Sequence, residues 1–288
     1  MLTRDDAPAV WAKLKITQHL CPTNLKFVEI IPLEIQGRRV LITGASRGLG
    51  RTLAFACAAA GAREVIAGCR QPKDLETLKV DAGASGLSVV PLRLDVTSDD
   101  ETLAAAALGR FDIVINNAGF AAFGNPLQMN FDDIRKEIEV NYLGVLRVVR
   151  AFAPAMIEHG EGMLINVATI MAKVNLPIVG TYCATKAALL SLGQTMRAYL
   201  SDKGVRVITV MPSTIDTDMS RGADVPKLSK EFVATAILDV IRGELIDPAI
   251  GSEAAGIMAQ LMEDPFGVEK MLAQIRAPER VAEGPTRD

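Results

Sequence analysis

Thr43-Gly44-Ala45-Ser46-Arg47-Gly48-Leu49-Gly50 follows the apolar run Arg39-Val40-Leu41-Ile42 and opens into an alanine-rich segment that ends near Gly61. A β-branched run, a glycine-rich turn and a segment of helical period read as strand, tight turn and helix. Glycines in such a turn let the backbone approach a pyrophosphate. The helix N-terminus beyond it supplies free amides and partial positive charge. A glycine turn that binds nothing is the alternative this motif alone leaves open.

The alternation continues on either side of the turn. It predicts strands near Arg39–Thr43, Glu64–Cys69, Ser88–Leu94, Phe111–Asn116, Met163–Thr169, Val205–Met211 and Leu245–Ile250. Between them it predicts helices over Gly48–Gly61, Ser98–Leu108, Phe131–Glu158, Thr181–Ser201 and Ser229–Arg242. Ile113-Val114-Ile115 is apolar on both faces, which requires helices on both sides of a parallel sheet. The expected fold is α/β, a Rossmann-like doubly wound three-layer sandwich around a parallel sheet of about seven strands. Ser98 and Glu101 predict a capping box, and Gly61, Gly109, Gly160, Gly204 and Gly243 predict left-handed helix ends.

At 288 residues the chain exceeds a typical domain, yet α/β units of this size commonly form one. The predicted division is an N-terminal extension over 1–36, a core over 37–250, and a C-terminal helical segment and tail over 251–288. The extension holds Trp11 and a strand-like Leu25–Ile31; it can add a strand, cover an interface or stay loose. The last segment reads as helices broken at Pro265-Phe266-Gly267 and a charged tail after Pro278. The 31 basic and 34 acidic side chains nearly balance, so no strong field draws nucleic acid or an anionic membrane. Cys21, Cys57, Cys69 and Cys183 form no CxxC pair, and His19 and His159 are far apart. Neither a metal site nor a disulfide framework is expected. The absence of an apolar signal core and of an apolar run near about 18 residues leads to a cytoplasmic expectation.

The second predicted strand ends Ala67-Gly68-Cys69-Arg70, with no carboxylate before Asp74 to bind a ribose 2′-hydroxyl. Arg70, with Arg47 in the glycine turn, suits a 2′-phosphate, so NADP(H) is favoured over NAD(H); arginines facing solvent are the alternative. Asp95-Val96 falls where a carboxylate can meet an adenine amino group, although Asp95 equally suits entry to the next helix. Asn116-Asn117-Ala118-Gly119 falls at the carboxyl edge of the fourth strand, as a ligand site or a structural turn. In Tyr182-Cys183-Ala184-Thr185-Lys186 the phenol and ammonium share one helical face. A nearby cation lowers a phenol's pKa, so the pair suits proton transfer.

Taken together, and in this order and spacing, these motifs resemble the short-chain dehydrogenase/reductase family over about Gly37 to Ile250. The resemblance implies an NADPH-dependent oxidoreductase acting on a carbonyl or secondary alcohol. It implies that Tyr182 is the general acid or base and that Lys186 holds the nicotinamide ribose and lowers the phenol's pKa. Asn141 would hold a relay water, and Thr169 would bind the substrate carbonyl. Gly44, Ser46, Arg47, Gly48, Leu49, Gly50, Arg70, Asp95, Val96, Asn117, Ala118, Gly119, Pro212, Ile215 and Thr217, together with Tyr182 and Lys186, would hold the cofactor. Two positions depart from the family. Thr169 replaces the usual serine, keeping the hydroxyl but narrowing the site, and Ser213 stands where glycine commonly follows Pro212.

Met171, Val174, Leu176, Ile178, Phe120 and Phe123 imply a largely apolar pocket, and Asp218–Ala223 a lid. The partner expected is a small carbonyl or alcohol. The family association implies a homodimer or homotetramer through the two long late helices, with Ala187, Ala188, Leu190, Ser191 and Met196 at the contact. A catalytically weak dinucleotide sensor that binds a partner protein is the competing class. The intact Tyr182 and Lys186 argue against it.

Overall fold

The computed structural model describes residues 33–275. The readings at Trp11, His19, Cys21, Leu25–Ile31 and the tail after Pro278 lie outside them. Among the described residues seven strands form one sheet: β1 Arg39–Thr43, β2 Glu64–Cys69, β3 Val89–Arg93, β4 Ile113–Asn116, β5 Gly162–Val167, β6 Val205–Pro212 and β7 Ala249–Ile250. Their order is β3-β2-β1-β4-β5-β6-β7, every pair parallel. After β3 the chain returns to place β4 on the other side of β1, so the two halves meet between β1 and β4. That is the switch point, where an open parallel sheet leaves a crevice at its carboxyl edge.

Period-two alternation divides the strand residues between two cores. Val40, Ile42, Ile113, Ile115, Met163 and Ile165 bury toward α1 (Gly48–Ala59), α2 (Pro72–Ser85) and α7 (Lys230–Arg242). Leu41, Val114, Leu164 and Val207 bury on the other face toward α3 (Asp99–Ala106), α5 (Gly144–His159) and α6 (Gly180–Leu200). Leu33 and Ile35, read as part of the extension, are buried in the first of these cores. Helices α8 (Ser252–Glu263) and α9 (Pro265–Leu272) break at Asp264, whose side chain accepts from Gly267 N.

The predicted helix over Phe131–Glu158 is three pieces: α4 (Phe131–Ile138), a π-helical turn Glu139–Leu143, and α5. The combined 29 residues are long and apolar enough to cross a membrane by composition. Val145, Val148, Val149, Phe152, Ala153 and Met156 bury in the core, as a core helix requires. Two punctuation readings change. Glu101 does not close a capping box: Ser98 Oγ accepts from Glu101 N, but the Glu101 carboxylate turns back to accept from Asp95 N and pair with Arg93. Gly243 has φ −93°, because the chain leaves α7 extended rather than turning back through the left-handed region.

Candidate active site

Backbone geometry at the glycine turn explains why its residues are so small. Gly44 and Gly48 have φ +66° and +56°, conformations that disfavour a side chain. A Cβ on Gly44 would lie 2.7 Å from Ala118 Cα, and one on Gly50 would run into Asn117 Nδ2 and Gly44 O. The turn is thus pressed against the loop after β4. Thr43, 1% exposed, joins the two: its hydroxyl accepts from Asn117 N and Ala118 N, both at 3.0 Å. Asn117 Nδ2 donates back to Thr43 O and Gly44 O at 3.0 and 3.1 Å. We expect Gly50→Ala to break this lock, with overpacking costing about 1–3 kcal/mol of stability and affinity for a dinucleotide falling about tenfold or more. Thermal unfolding and cofactor fluorescence titration read the two effects.

Several features at this edge suit a dinucleotide. Helix α1 opens with no side-chain cap and no acid in its first turn, so its amides and dipole are left for an anion. Arg47 is 78% exposed and reaches Asp218 at 3.5 Å. The register Thr43↔Gly68 brings Arg70 to the same edge, where it is exposed and has no acidic partner among the described residues. Arg70 also lines a cavity of about 550 Å³ with Thr97, Arg135, Lys136 and Leu143. Asp95 Oδ1 accepts from Thr97 N and Oγ1, leaving its other oxygen unspent among these bonds. Ser46 is half-buried and Leu49 packs in the core, so only the backbone of Leu49 is placed to meet a ligand. Val96 is buried against Gly144.

On the far half of the sheet, Pro212 ends β6 and is buried. Ile215 bridges to Leu228, and Thr217 N donates to Ser220 Oγ at 3.2 Å. Ser213 is 5% exposed and its hydroxyl faces Gly251, so the extra side chain is absorbed between β6 and α8.

Tyr182 and Lys186 sit one turn apart on α6, with Lys186 Nζ 5.6 Å from the phenol ring centroid. Lys186 is 4% exposed and donates to Val167 O at 2.9 Å. A Cβ on Gly119 would touch both Asn141 Oδ1 and Lys186 Nζ, at 3.6 and 3.8 Å, so the three converge. Thr169, 7% exposed, ends the segment after β5, where its Oγ1 accepts from Met171 N. Burial lowers Lys186 to about 8. Burial first, then Cys183 and Glu137, push the Tyr182 phenol up. Desolvation of the phenolate is the largest cause of that direction in the protein's own environment.

Asn141 lies in the π turn and is fully buried. Its Oδ1 accepts from Phe120 N, while Nδ2 donates to Phe120 O and Thr185 Oγ1. Both amide hydrogens are therefore committed to protein, and the side chain anchors the loop after β4.

Sequence reasoning gave no role to Thr43, Thr185 or Glu137. Glu137 was findable, because it precedes Asn141 by four and so shares its helical face. Leu190, expected at a subunit contact, is in the core and Met196 packs against it; Ala187 and Ser191 are exposed.

The family model for short chain dehydrogenases matches residues 38–226. D-erythrulose reductase of Gallus gallus is 38% identical over 191 residues, 66% of this chain and 76% of that protein. A short-chain dehydrogenase from Burkholderia cenocepacia J2315, solved in complex with NADP, superposes with a TM-score of 0.77 at 36% identity, covering 85% of this chain and 100% of that one. A gluconate 5-dehydrogenase from the same organism, solved with NADP and tartrate, superposes at 0.72 with 25% identity, covering 77% and 98%.

Proposed function

Because the chain belongs to the short-chain dehydrogenase family of nicotinamide-dependent oxidoreductases, we propose that it reduces the carbonyl of a small, largely apolar substrate with NADPH, using Tyr182 as general acid. The observation that carries this reading is the convergence of Tyr182, the buried Lys186, Asn141 and Gly119 at the carboxyl edge of the sheet. NADPH, when bound, supplies the hydride from C4 of its nicotinamide.

The chain's own groups do the rest. The glycine turn and the α1 N-terminus hold the pyrophosphate, with Gly44, Ser46, Arg47, Gly48, Leu49 and Gly50 presenting backbone. Asp95 and Val96 flank the adenine, Asn117, Ala118 and Gly119 the nicotinamide ribose, and Pro212, Ile215 and Thr217 the nicotinamide. Thr169 and Tyr182 orient the carbonyl, and Tyr182 gives its proton to the oxygen as the hydride arrives. Lys186 holds the ribose and restores the proton. A phenol pushed up by burial keeps its proton at neutral pH, the state that reduction requires.

The NADPH preference rests on Arg47 and Arg70. A charge-assisted bond from Arg70 to a 2′-phosphate contributes about 1.5–3 kcal/mol. Arg70→Ala is therefore expected to lower the NADPH-over-NADH ratio of kcat/KM by about 10- to 100-fold. Wild-type protein that uses both cofactors equally would remove the preference.

The test of the reaction is NADPH oxidation across a carbonyl panel. It spans apolar ketones and aldehydes and, following the named relatives, D-erythrulose and a keto-gluconate. Residues 37–250 form the catalytic unit in this reading, and 251–275 cover its edge. A groove of about 290 Å³ lined by Ile134, Ile138, Tyr142, Thr181, Ala184 and Ala188 runs between α4 and α6 and favours pairing of two copies there. Light scattering is expected to show a dimer or tetramer.

A further inference from the structure

The segment 217–227 after β6 is a loop whose feet are tied together. Asp216 N donates to Leu228 O at 2.9 Å and Leu228 N to Thr214 O at 2.8 Å, beside the bridge between Ile215 and Leu228. Its first turn, Asp218–Ser220, is set by Ser220 Oγ, which donates to Ile215 O at 2.6 Å and accepts from Thr217 N at 3.2 Å. Joined ends and a fixed first turn hold the side chains of Thr217 and Asp218 in a defined place.

That place is against the glycine turn. A Cβ on Gly48 would lie 3.4 Å from Thr217 Cγ2, and Asp218 Oδ2 lies 3.5 Å from Arg47 Nη1. The other carboxylate oxygen, Oδ1, pairs with Arg221 of the same loop. One carboxylate is therefore shared by two largely exposed arginines, one on each side of the gap between the turn and the loop. Arg70, the other arginine at this edge, pairs with no carboxylate among the described residues and lines the cavity with Thr97.

Arg47 is also the side chain that the glycine turn offers to a 2′-phosphate. A phosphate is an anion like Asp218, and seating both on one guanidinium brings like charges together, which disfavours the joint arrangement. Arg221 already holds Oδ1, so Asp218 keeps a cationic partner when Arg47 leaves it. We propose that Asp218 is a specificity-determining residue for the dinucleotide: it competes with the 2′-phosphate for Arg47. NADPH binds by exchanging the Arg47–Asp218 pair for an Arg47–phosphate pair, whereas NADH leaves the Arg47–Asp218 pair in place.

This rests on the reading of Arg47 as a ligand of the 2′-phosphate. Asp218 then subtracts from the advantage that Arg47 and Arg70 give NADPH. The subtraction is modest, because exposed ion pairs contribute little.

The experiment is a double-variant cycle read by cofactor fluorescence titration, with NADPH and NADH as the probes and no turnover required. It compares wild type, Asp218→Asn, Arg47→Ala and Arg70→Ala, and Asp218→Asn combined with each arginine variant. Low ionic strength keeps the exposed pair least screened. Asp218→Asn should tighten NADPH about two- to fivefold and leave NADH unchanged. The gain should vanish in the Arg47→Ala background and persist in the Arg70→Ala background.

Equal tightening of NADPH and NADH, or a gain that survives without Arg47, would mean that Asp218 merely repels an anionic ligand or shapes the loop, and would overturn the proposal. No gain in Asp218→Asn, with Arg47→Ala weakened toward NADPH, would overturn it as well. Wild-type NADPH affinity in Arg47→Ala would instead remove Arg47 from the proposed cofactor preference, and no NADPH binding by the wild type would sink the proposed function itself.

Discussion

Tyr182→Phe is expected to lower carbonyl reduction by about 10²- to 10⁴-fold, the usual contribution of a positioned general acid, while NADPH affinity stays close to wild type. The substitution removes only the phenolic oxygen. The ring remains against α6, and the contact of Lys186 with its face, 5.6 Å from the centroid, is retained. The lock between the glycine turn and the loop after β4 runs through Thr43 and Asn117, neither of which touches Tyr182 in its hydrogen bonds. Cofactor binding and the proton step are therefore separable. NADPH fluorescence titration and single-turnover absorbance measure them independently. A variant within about tenfold of wild-type turnover would mean that less than about 1.4 kcal/mol of barrier rests on the phenol, too little for the assigned role.

Lys186→Met carries the second large effect, and it is visible without any substrate. The folded protein lowers Lys186 from 10.5 to about 8 because burial penalises the ammonium. Below pH 8 the group is charged in both folded and unfolded chains, and the fold bears the full penalty. Between pH 8 and 10.5 the folded state releases its proton while the unfolded state keeps it, so stability rises with pH across that window. The gain is on the order of 3 kcal/mol. Methionine cannot titrate, so the wild-type-minus-variant difference in unfolding free energy should climb by about 2 kcal/mol from pH 8 to 10 and flatten well below pH 8. Comparison by difference cancels the other groups that titrate there. Loss of the bond to Val167 O offsets the curve without changing its slope. Turnover at pH 7 should fall by about 10²-fold or more, as for removal of one preorganised donor. A pH-independent difference curve would show that Lys186 keeps its ordinary proton affinity in the fold.

Much of the architecture was legible because it rests on local periodicity. The strands at Arg39–Thr43 and Glu64–Cys69 follow from β-branched runs, and the α1 start follows from the glycines. The helix ends at Gly61, Gly109, Gly160 and Gly204 follow from the conformational freedom that only glycine offers there. Candidate site residues at Tyr182, Lys186 and Asn141 were legible for a different reason: they recur as an ordered set. The sequence carried no sign of the π turn at Glu139–Leu143. One extra residue inserted into a helix leaves the hydrophobic pattern nearly intact, and tertiary packing decides where it falls.

The seven-stranded sheet, the glycine turn and the family to which the chain belongs were determined by the sequence itself, since spacing and residue type are one-dimensional properties. Tertiary structure alone decided what the polar groups do. Asn141 spends its amide hydrogens on Phe120 and Thr185, the Glu101 carboxylate turns to Asp95 rather than to Ser98, and Glu137 is buried with one oxygen unpaired among the described residues. It also decided the sign of the Tyr182 shift. A pair four residues apart predicts attraction between phenolate and ammonium, but the balance turns on how much water each group loses, and that depends on residues far away in the chain.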